Sequence, residues 1–257
     1  MIAKTENCTV VQNLEIAHHI YDLTVRAQEI TGNIRPGQFI HVDCGGRTLL
    51  KRPISVCDVK GSELRLIYEV KGEGTQNLSR IRTGEQINLL GPLGNGFFLE
   101  PESAKPVLVG GGIGVFPLLY LAKQLKQQPI SVMGFRNRSL ITLETEMKEV
   151  SEKLFITTDD GTYGRKGFVS DILLELFEKN QADMVYACGP KPMLKVLQKL
   201  CSQRDIPLQV SMEERMGCGI GACLTCPCKV KENNEVNYKS VCKCGPVFWG
   251  SEVVFDD

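Results

Sequence analysis

The sequence predicts an antiparallel β-barrel, followed by an α/β domain with a parallel sheet and by a small cysteine-rich segment. Three observations predict this fold class. Short β-rich runs separated by turns fill the chain up to about residue 100. From Lys105 the pattern changes to strand, glycine loop and helix. Beyond about Gln209, six of the eleven cysteines lie within Cys218–Cys244. We therefore expect three domains, at residues 1–100, 101–208 and 209–257.

The first domain contains runs with the composition of β-strands and no long helical pattern. Turn sequences such as Arg35-Pro36-Gly37 and Cys44-Gly45-Gly46 separate these runs. About six short strands without a long helix indicate a small antiparallel barrel. The expected strands are Val10–Ile16, Ile20–Val25, Gln38–Cys44, Pro53–Val59, Leu64–Val70 and Gln86–Leu90.

The middle of the chain alternates short buried strands with helical patterns. This alternation predicts a parallel sheet with helices on both faces, and such sheets bind ligands at the carboxyl edge of their strands. The expected strands are Pro106–Val109, Ile130–Phe135, Leu154–Thr158 and Met184–Cys188. The expected helices are Pro117–Gln127, Leu143–Ser151, Phe168–Lys179 and Pro192–Arg204. The last segment contains too few apolar residues for a core of its own.

Composition excludes several classes of protein. The 30 basic residues equal the 30 acidic ones, so no global field favours nucleic acid or an anionic membrane. The N-terminus lacks the apolar core of a signal peptide, and no apolar run approaches the ~20 residues that span a bilayer. An odd number of cysteines without a secretory signal argues against a disulfide framework. We expect a soluble cytoplasmic protein with neither nucleic acid nor membrane as a partner.

The cysteine-rich segment has the spacing of an iron–sulfur site. Cys218, Cys223 and Cys226 form C-x4-C-x2-C, and Cys242 follows after residues 227–241. This is the plant-type ligand pattern of a [2Fe–2S] cluster, in which a tight loop delivers three of four thiolates. Gly217, Gly219 and Gly221 allow that loop to curl and to point N–H groups at the sulfurs.

Two of the six cysteines in this segment are spare. Cys228 and Cys244 stand two residues after Cys226 and Cys242, so each could replace its neighbour as a ligand. Pairs of this kind could also hold zinc, although zinc knuckles usually combine two C-x2-C units and only Cys223–Cys226 has that spacing.

Two loops in the α/β domain suggest a nucleotide site. Gly110–Pro117 runs from a strand into a helix, where backbone N–H groups of Gly111, Gly112 and Gly114 could approach a pyrophosphate. Pro117 replaces the third glycine of G-x-G-x-x-G, and a tight turn without a ligand is the alternative. Cys188-Gly189-Pro190 ends another strand at the same expected edge, or forms only a strand-to-helix turn.

The barrel offers groups suited to a second phosphate-bearing ligand. Arg52-Pro53-Ile54-Ser55 places a guanidinium and a hydroxyl on one extended strand. Tyr68 supplies a ring and a hydroxyl. Gly72-Glu73-Gly74-Thr75 opens a short helical stretch that could cradle phosphate. The alternative is a purely structural role for each of these segments.

Together these motifs resemble the ferredoxin–NADP reductase superfamily, with R-x-x-S on a flavin-binding barrel and G-G-x-G-x-x-P and C-G-P on a nucleotide domain. Over nearly the whole chain the resemblance is to the electron-transfer subunits of NAD-linked dihydroorotate dehydrogenases. It is carried by Pro36–Phe39, Arg52–Ser55, Gly91–Phe97, Gly110–Pro117, Met212–Cys223 and Gly245–Phe248.

The resemblance implies three cofactors: FAD, a [2Fe–2S] cluster and NAD. The flavin-binding residues that it implies are Arg52, Pro53, Ile54, Ser55, Ile67, Tyr68, Glu69, Gly74 and Thr75. The cluster ligands that it implies are Cys218, Cys223, Cys226 and Cys242. Two positions depart from the family pattern. Glu69 replaces a basic residue, and Cys244 replaces an acidic one, which leaves the fourth ligand open.

The resemblance also implies a partner and a reaction. A catalytic subunit holding FMN in a (β/α)8 barrel oxidises dihydroorotate, and electrons reach NAD⁺ through this chain during UMP biosynthesis, in a heterotetramer with two of each subunit. We assign no catalytic residue, because nothing in the sequence indicates an orotate site. A related subunit serving a sulfide dehydrogenase or a transhydrogenase-like complex is the nearest alternative, and a redox regulator and a zinc-stabilised structural module are others.

Other polar residues receive no firm role from the sequence. Arg136 and Arg138 could bind the 2′-phosphate of NADP or form an exposed basic turn. The three histidines, His18, His19 and His41, lie on or near predicted barrel strands, and we assign them no function.

Overall fold

The computed structural model describes residues 3–46, 48–99, 105–233 and 235–256. Within these residues the strands form a closed six-stranded barrel, a seven-stranded sheet and a two-stranded hairpin. The fold class predicted from the sequence is therefore confirmed. No helix among the described residues is long and apolar enough to cross a membrane.

The barrel is built from antiparallel strands in the order β1-β2-β5-β4-β3-β6. Alternate side chains, such as Leu23 and Val25, point inward and are fully buried, which is the period expected of strands that wrap a core. The strands are β1 (Lys4–Ala17), β2 (Ile20–Arg26), β3 (Phe39–Val42), β4 (Arg52–Lys60), β5 (Glu63–Glu69) and β6 (Gln86–Leu93). Two short helices, α1 (Gln28–Thr31) and α2 (Glu73–Leu78), lie between them.

The seven-stranded sheet has the order β10-β9-β8-β7-β11-β12-β15. All its neighbouring strands are parallel except the last pair. Its strands are β7 (Pro106–Gly111), β8 (Ile130–Phe135), β9 (Lys153–Thr158), β10 (Arg165–Lys166), β11 (Met184–Cys188), β12 (Leu208–Ser211) and β15 (Val247–Trp249). The helices are α3 (Phe116–Gln124), α4 (Glu144–Val150), α5 (Val169–Glu178) and α6 (Lys191–Ser202).

The first helix of this domain differs from its prediction. The glycine loop tightens into a 3-10 turn over Gly112–Val115, so α3 begins at Phe116 with Pro117 in its first turn. The helix ends at Gln124, three residues before the predicted end, because the backbone of Leu125 is extended. The polar residues that follow Leu125 have the sequence pattern of an exposed helix face, but they do not continue the helix.

The C-terminal segment is attached to the rest of the molecule rather than separate from it. It contains β13 (Pro227–Glu232), β14 (Glu235–Ser240), α7 (Val241–Cys244) and β15. Its buried Val230, Val241 and Phe248 join the same core as Val107 and Val109 of the central sheet. The expected boundary after residue 208 falls inside β12, and the expected boundary after residue 100 lies outside the described residues.

Barrel and nucleotide domain are joined by a charged contact. The guanidinium of Arg65 on β5 binds Asp22 of β2, with Nη2–Oδ2 at 2.8 Å, and Glu146 of α4. The Asp22 side chain is 6% exposed and that of Arg65 is 20% exposed, so water competes little for this carboxylate. Burial opposes the charge of Arg65, but the two carboxylates outweigh it and raise the pKa of the guanidinium.

We expect Arg65→Met to destabilise the protein by about 3 kcal/mol, because it leaves the buried carboxylate of Asp22 without its cation. Urea unfolding of the two proteins at equal cofactor content measures this difference. Arg165→Met is the matched control, since the Arg165–Glu175 pair is 48% and 43% exposed and should contribute about 0.5 kcal/mol or less. Equal losses in both variants would contradict this account of the contact.

Candidate functional site

The two predicted nucleotide loops meet at the carboxyl edge of the parallel sheet. Strands β7 and β11 are neighbours, with Cys188 opposite Gly110. From β7 the chain continues to β8 on one side in the strand order, and from β11 it continues to β12 on the other. This reversal is the topological switch point where α/β sheets bind nucleotides. The structure therefore brings Gly111, Gly112 and Gly114 beside Cys188, Gly189 and Pro190.

The two loops can touch because glycine, which has no side chain, occupies the contact positions. A Cβ on Gly114 would lie 2.3 Å from the carbonyl oxygen of Cys188, and one on Gly189 would lie 3.1 Å from the backbone nitrogen of Gly111. Gly112 is exposed, has φ of +55° and has open space where a Cβ would project. A ligand at this edge could thus approach the backbone closely.

The barrel brings two of its predicted phosphate-binding residues together. A Cβ on Gly74 in α2 would lie 2.8 Å from Nε and 2.9 Å from Nη2 of Arg52, so the guanidinium rests directly on this glycine. The hydroxyl of Thr75 accepts a hydrogen bond from the backbone N–H of Lys71 at 2.9 Å and thereby shapes the turn before α2. A guanidinium held beside the first turn of a helix is suited to a phosphate group.

The other predicted barrel residues divide into half-buried and buried groups. Pro53, Ser55 and Glu69 are half-buried, and Glu69 pairs with Lys71 at 3.0 Å. Three are buried within the protein: Ile54, Ile67 and Tyr68. Ile54 and Tyr68 belong to the barrel core, and the Tyr68 hydroxyl donates to Asn13 at 3.1 Å. Ile67 belongs to a core that barrel and nucleotide domain share, and Leu108 belongs to the same core.

The four predicted cluster ligands converge in one place, with backbone donors directed at their sulfurs. The sulfur of Cys218 receives the N–H groups of Ile220, Ala222 and Cys223 at 3.5, 3.3 and 3.4 Å. The sulfur of Cys242 receives the N–H of Gly221 at 3.1 Å. Donors aimed at sulfur stabilise thiolates and the anionic cluster that they would hold.

The remaining two sulfurs are held in the same way. The N–H of Cys242 donates to the sulfur of Cys226 at 3.5 Å, and that of Cys218 to the sulfur of Cys223 at 3.4 Å. Positive φ angles of +72° at Gly219 and +82° at Gly221 let the loop turn its N–H groups inward. The predicted glycine-dependent curl of this loop is thus present.

Burial differs sharply among the four thiols. Cys226 and Cys242 are 1% and 2% exposed, whereas Cys223 is exposed. A hydrogen bond with the Thr225 hydroxyl, supported by backbone N–H groups, lowers the pKa of Cys223 to about 6. Burial raises the pKa of Cys242 to about 12. A buried thiol of this kind ionises beside a cation, which a metal ion supplies. The donor set therefore fits an iron–sulfur cluster.

Among the described residues, neither spare cysteine takes part in these N–H···S hydrogen bonds. Cys228 is buried on β13, and its interactions run to the carbonyl of Lys229 and to the charges of Glu214 and Lys191. The backbone carbonyl of Cys244 accepts a hydrogen bond from the Asn95 side chain at 3.0 Å. This arrangement favours Cys226 and Cys242 over their neighbours as ligands.

One residue that the sequence analysis left without a role lies at this site. His41 on β3 is 1% exposed, and its ring packs against Gly219 of the cysteine loop. Its backbone pairs with Pro53 of β4, on the predicted flavin-binding strand. Alternation along β3 could have indicated that His41 faces away from the barrel core, but no local pattern indicates what covers that face.

Comparison with known families agrees with these sites. A family model described as the iron–sulfur cluster binding domain of dihydroorotate dehydrogenase B matches residues 213–254. A second, described as the oxidoreductase NAD-binding domain, matches residues 108–199. The first covers all four converging cysteines, and the second covers both nucleotide loops.

Similar proteins and structures cover nearly the whole chain. A chain from the structure of an NADH-dependent reduced ferredoxin-NADP oxidoreductase has a TM-score of 0.87 and 31% identity, covering 98% of this chain and 91% of its own. A ferredoxin reductase of carbazole 1,9a-dioxygenase, with a TM-score of 0.68 and 15% identity over 82% of this chain and 69% of its own, shares the fold.

Two relatives carry the name dihydroorotate dehydrogenase B (NAD(+)), electron transfer subunit. The protein of Caldanaerobacter subterraneus subsp. tengcongensis is 43% identical over 96% of this chain and 97% of its own length. That of Geobacillus sp. WCH70 is 46% identical over 98% of this chain and 99% of its own. Identity of this level over almost the full length shows that the chain belongs to the family of dihydroorotate dehydrogenase B (NAD⁺) electron transfer subunits.

Proposed function

We propose that this protein carries electrons from a dihydroorotate-oxidising catalytic subunit to NAD⁺ in pyrimidine (UMP) biosynthesis, with a [2Fe–2S] cluster and FAD as its carriers. One observation supports this most strongly. Four cysteines have N–H groups aimed at their sulfurs, and Gly219 of their loop packs against His41 on the barrel strand that neighbours Arg52–Ser55. The three expected domains, 1–100 for FAD, 101–208 for NAD and 209–257 for the cluster, are part of this proposal.

In this proposal Cys218, Cys223, Cys226 and Cys242 hold the cluster. The curled loop orients three of the thiolates, and α7 carries Cys242. The backbone directs N–H groups at the sulfurs of the two buried cysteines, Cys226 and Cys242, where they would stabilise an anionic cluster. The exposed Ile220 and Leu224, 55% and 70% exposed, surround the accessible side of the loop and offer an apolar surface to a partner.

The flavin would bind on the barrel, at strands β4 and β5 and the start of α2. Arg52, resting on Gly74, would bind a phosphate of FAD, and Thr75 keeps the turn before α2 in shape. Pro53, Ile54 and Ser55 continue the same strand, while Ile67, Tyr68 and Glu69 lie on its neighbour β5. Glu69 pairs with Lys71, so the charge of this lysine is already matched. Arg52 is then the cation that would bind the phosphate.

The nicotinamide nucleotide would bind across the switch point between β7 and β11. Gly111, Gly112 and Gly114 would receive its pyrophosphate, and Cys188, Gly189 and Pro190 would border it. We propose NAD rather than NADP, because the full-length relatives are named for NAD⁺. Arg136 and Arg138 are exposed, and Arg138 lies over the ring of Tyr163 at 5.6 Å.

These cofactors divide the chemistry among them. When bound, a nicotinamide exchanges a hydride, a [2Fe–2S] cluster exchanges single electrons, and a flavin exchanges either. The chain itself positions the groups. The catalytic partner would hold FMN, in a complex with two of each subunit. The eleven free cysteines fit a reducing compartment, which supports a cytoplasmic location.

Dihydroorotate-dependent reduction of NAD⁺ by the reconstituted complex tests the function. We expect activity when this chain is combined with an FMN-containing dihydroorotate-oxidising subunit, and loss of NAD⁺ reduction when this chain is omitted. If NADH reduces the flavin and cluster but dihydroorotate does not, the pyrimidine assignment falls. The 31% identity to the bifurcating oxidoreductase chain would then direct the search to a ferredoxin-type partner.

Replacing a proposed ligand should remove the cluster. We expect Cys218→Ser, Cys223→Ser, Cys226→Ser and Cys242→Ser each to lower iron and acid-labile sulfide at least fivefold, with the flavin retained. Cys228→Ser and Cys244→Ser are the matched controls, because they change spare cysteines of the same segment. Loss of the cluster in a control but not in its ligand neighbour would reassign that ligand.

Filling the space beside Arg52 should weaken flavin binding. Alanine suits the helical backbone of Gly74, but its Cβ would push the guanidinium from its place. We expect Gly74→Ala to raise the Kd for FAD about tenfold, the loss of one charge-assisted hydrogen bond. Gly72→Ala in the same loop has open space for its Cβ and should leave the Kd unchanged. Fluorescence titration of the apoprotein with FAD measures both constants.

A further inference from the structure

His41 is buried between the barrel and the cysteine loop, against Gly219. On β3 its neighbour Ile40 points into the barrel core, so His41 points outward, on the side of Phe39. Phe39, whose ring centroid is 5.8 Å from that of His41, belongs to the core that includes Cys226 and Cys242. The imidazole is therefore enclosed on the face that carries the cluster site.

The ring fits directly against the loop that follows the first cysteine. A Cβ on Gly219 would lie 2.7 Å from Cε1 and 2.8 Å from both nitrogens of His41. Gly219 also has a positive φ, so both space and backbone conformation demand glycine there. The nitrogen-bearing edge of the ring thus occupies the space next to the residue that follows Cys218.

One nitrogen of this ring lacks a partner. Nε2 of His41 is buried and has no hydrogen-bond partner among the described residues. Leaving a buried polar atom unsatisfied costs about 1–3 kcal/mol, so such an atom usually faces a bound group. Burial, with a smaller effect from Lys51, lowers the pKa of His41 to about 4, so the ring is neutral and carries one N–H.

We propose that His41 is a positioning residue that donates its Nε2–H to a sulfur of the [2Fe–2S] cluster. The inference rests on the proposed function, since it requires the cluster at Cys218, Cys223, Cys226 and Cys242. With the cluster bound, a sulfur of the cluster or of its cysteine ligands would be the acceptor for this N–H. An N–H bonded to cluster sulfur stabilises the reduced form more than the oxidised form, because reduction adds negative charge. His41 would thereby raise the cluster potential and leave the flavin potential unchanged.

Redox titrations of the loaded protein test this, with the cluster followed by electron paramagnetic resonance and the flavin by absorbance. We expect His41→Leu to lower the equilibrium constant for reduction of the cluster about tenfold. For one electron this lowers the cluster potential by about 59 mV. His41→Gln, which keeps a donor near the Nε2 position, should restore at least half of the shift. His18→Leu removes an exposed imidazole from the β1–β2 turn and should change neither potential.

A measurement on the unchanged sequence covers the case in which His41→Leu fails to fold. Pulsed electron paramagnetic resonance of the reduced cluster in protein labelled with ¹⁵N-histidine should show a weak ¹⁵N coupling, which His41→Gln abolishes and His18→Leu keeps. Absence of that coupling, equal cluster potentials, or a shift of the flavin alone would overturn the role of His41. A wild-type protein that binds no cluster would instead overturn the proposed function, and this inference with it.

Discussion

The antiparallel pairing of β15 with β12 is the constraint on which the arrangement of the three sites depends. It returns the chain from the cysteine segment to the central sheet, with Val247 opposite Ser211. The residues just before β15 are held from the other side by the barrel, where the N–H of Asn95 donates to the carbonyl of Gly245 at 2.5 Å. Because Cys242 lies three residues before Gly245, this clamp also positions the fourth thiol. The cluster site is therefore a product of barrel and sheet together.

Desolvation and backbone polarity act against each other within the cysteine loop. Burying Cys242 disfavours its charged form, while the N–H of Gly221 favours it. The opposite side of the loop, at Cys223, is open. The site thus has one face embedded against the barrel and one face toward solvent, as a carrier that passes electrons between a partner and its own interior requires.

Close approach of backbone to side chain recurs at each proposed cofactor position. Gly74 lies under the guanidinium of Arg52, Gly114 under the carbonyl of Cys188, and Gly219 under the imidazole of His41. In each case a single Cβ would displace a group from a second segment far away in the sequence. Glycine is required at these positions less for flexibility than for the space that another segment occupies.

Local patterns in the sequence determined most of the elements and the chemical identity of the cluster site. Strands Ile130–Phe135 and Met184–Cys188 have their predicted bounds, because a buried run between turn residues is read directly from the chain. The C-x4-C-x2-C spacing likewise identifies its own ligand type. Tertiary structure alone decided that Cys226 and Cys242, rather than Cys228 and Cys244, share the sulfur network. It also decided that Arg52 meets Gly74 and that His41 meets Gly219. These contacts join segments separated by up to most of the chain, so they follow from strand register and core packing, which no local pattern contains.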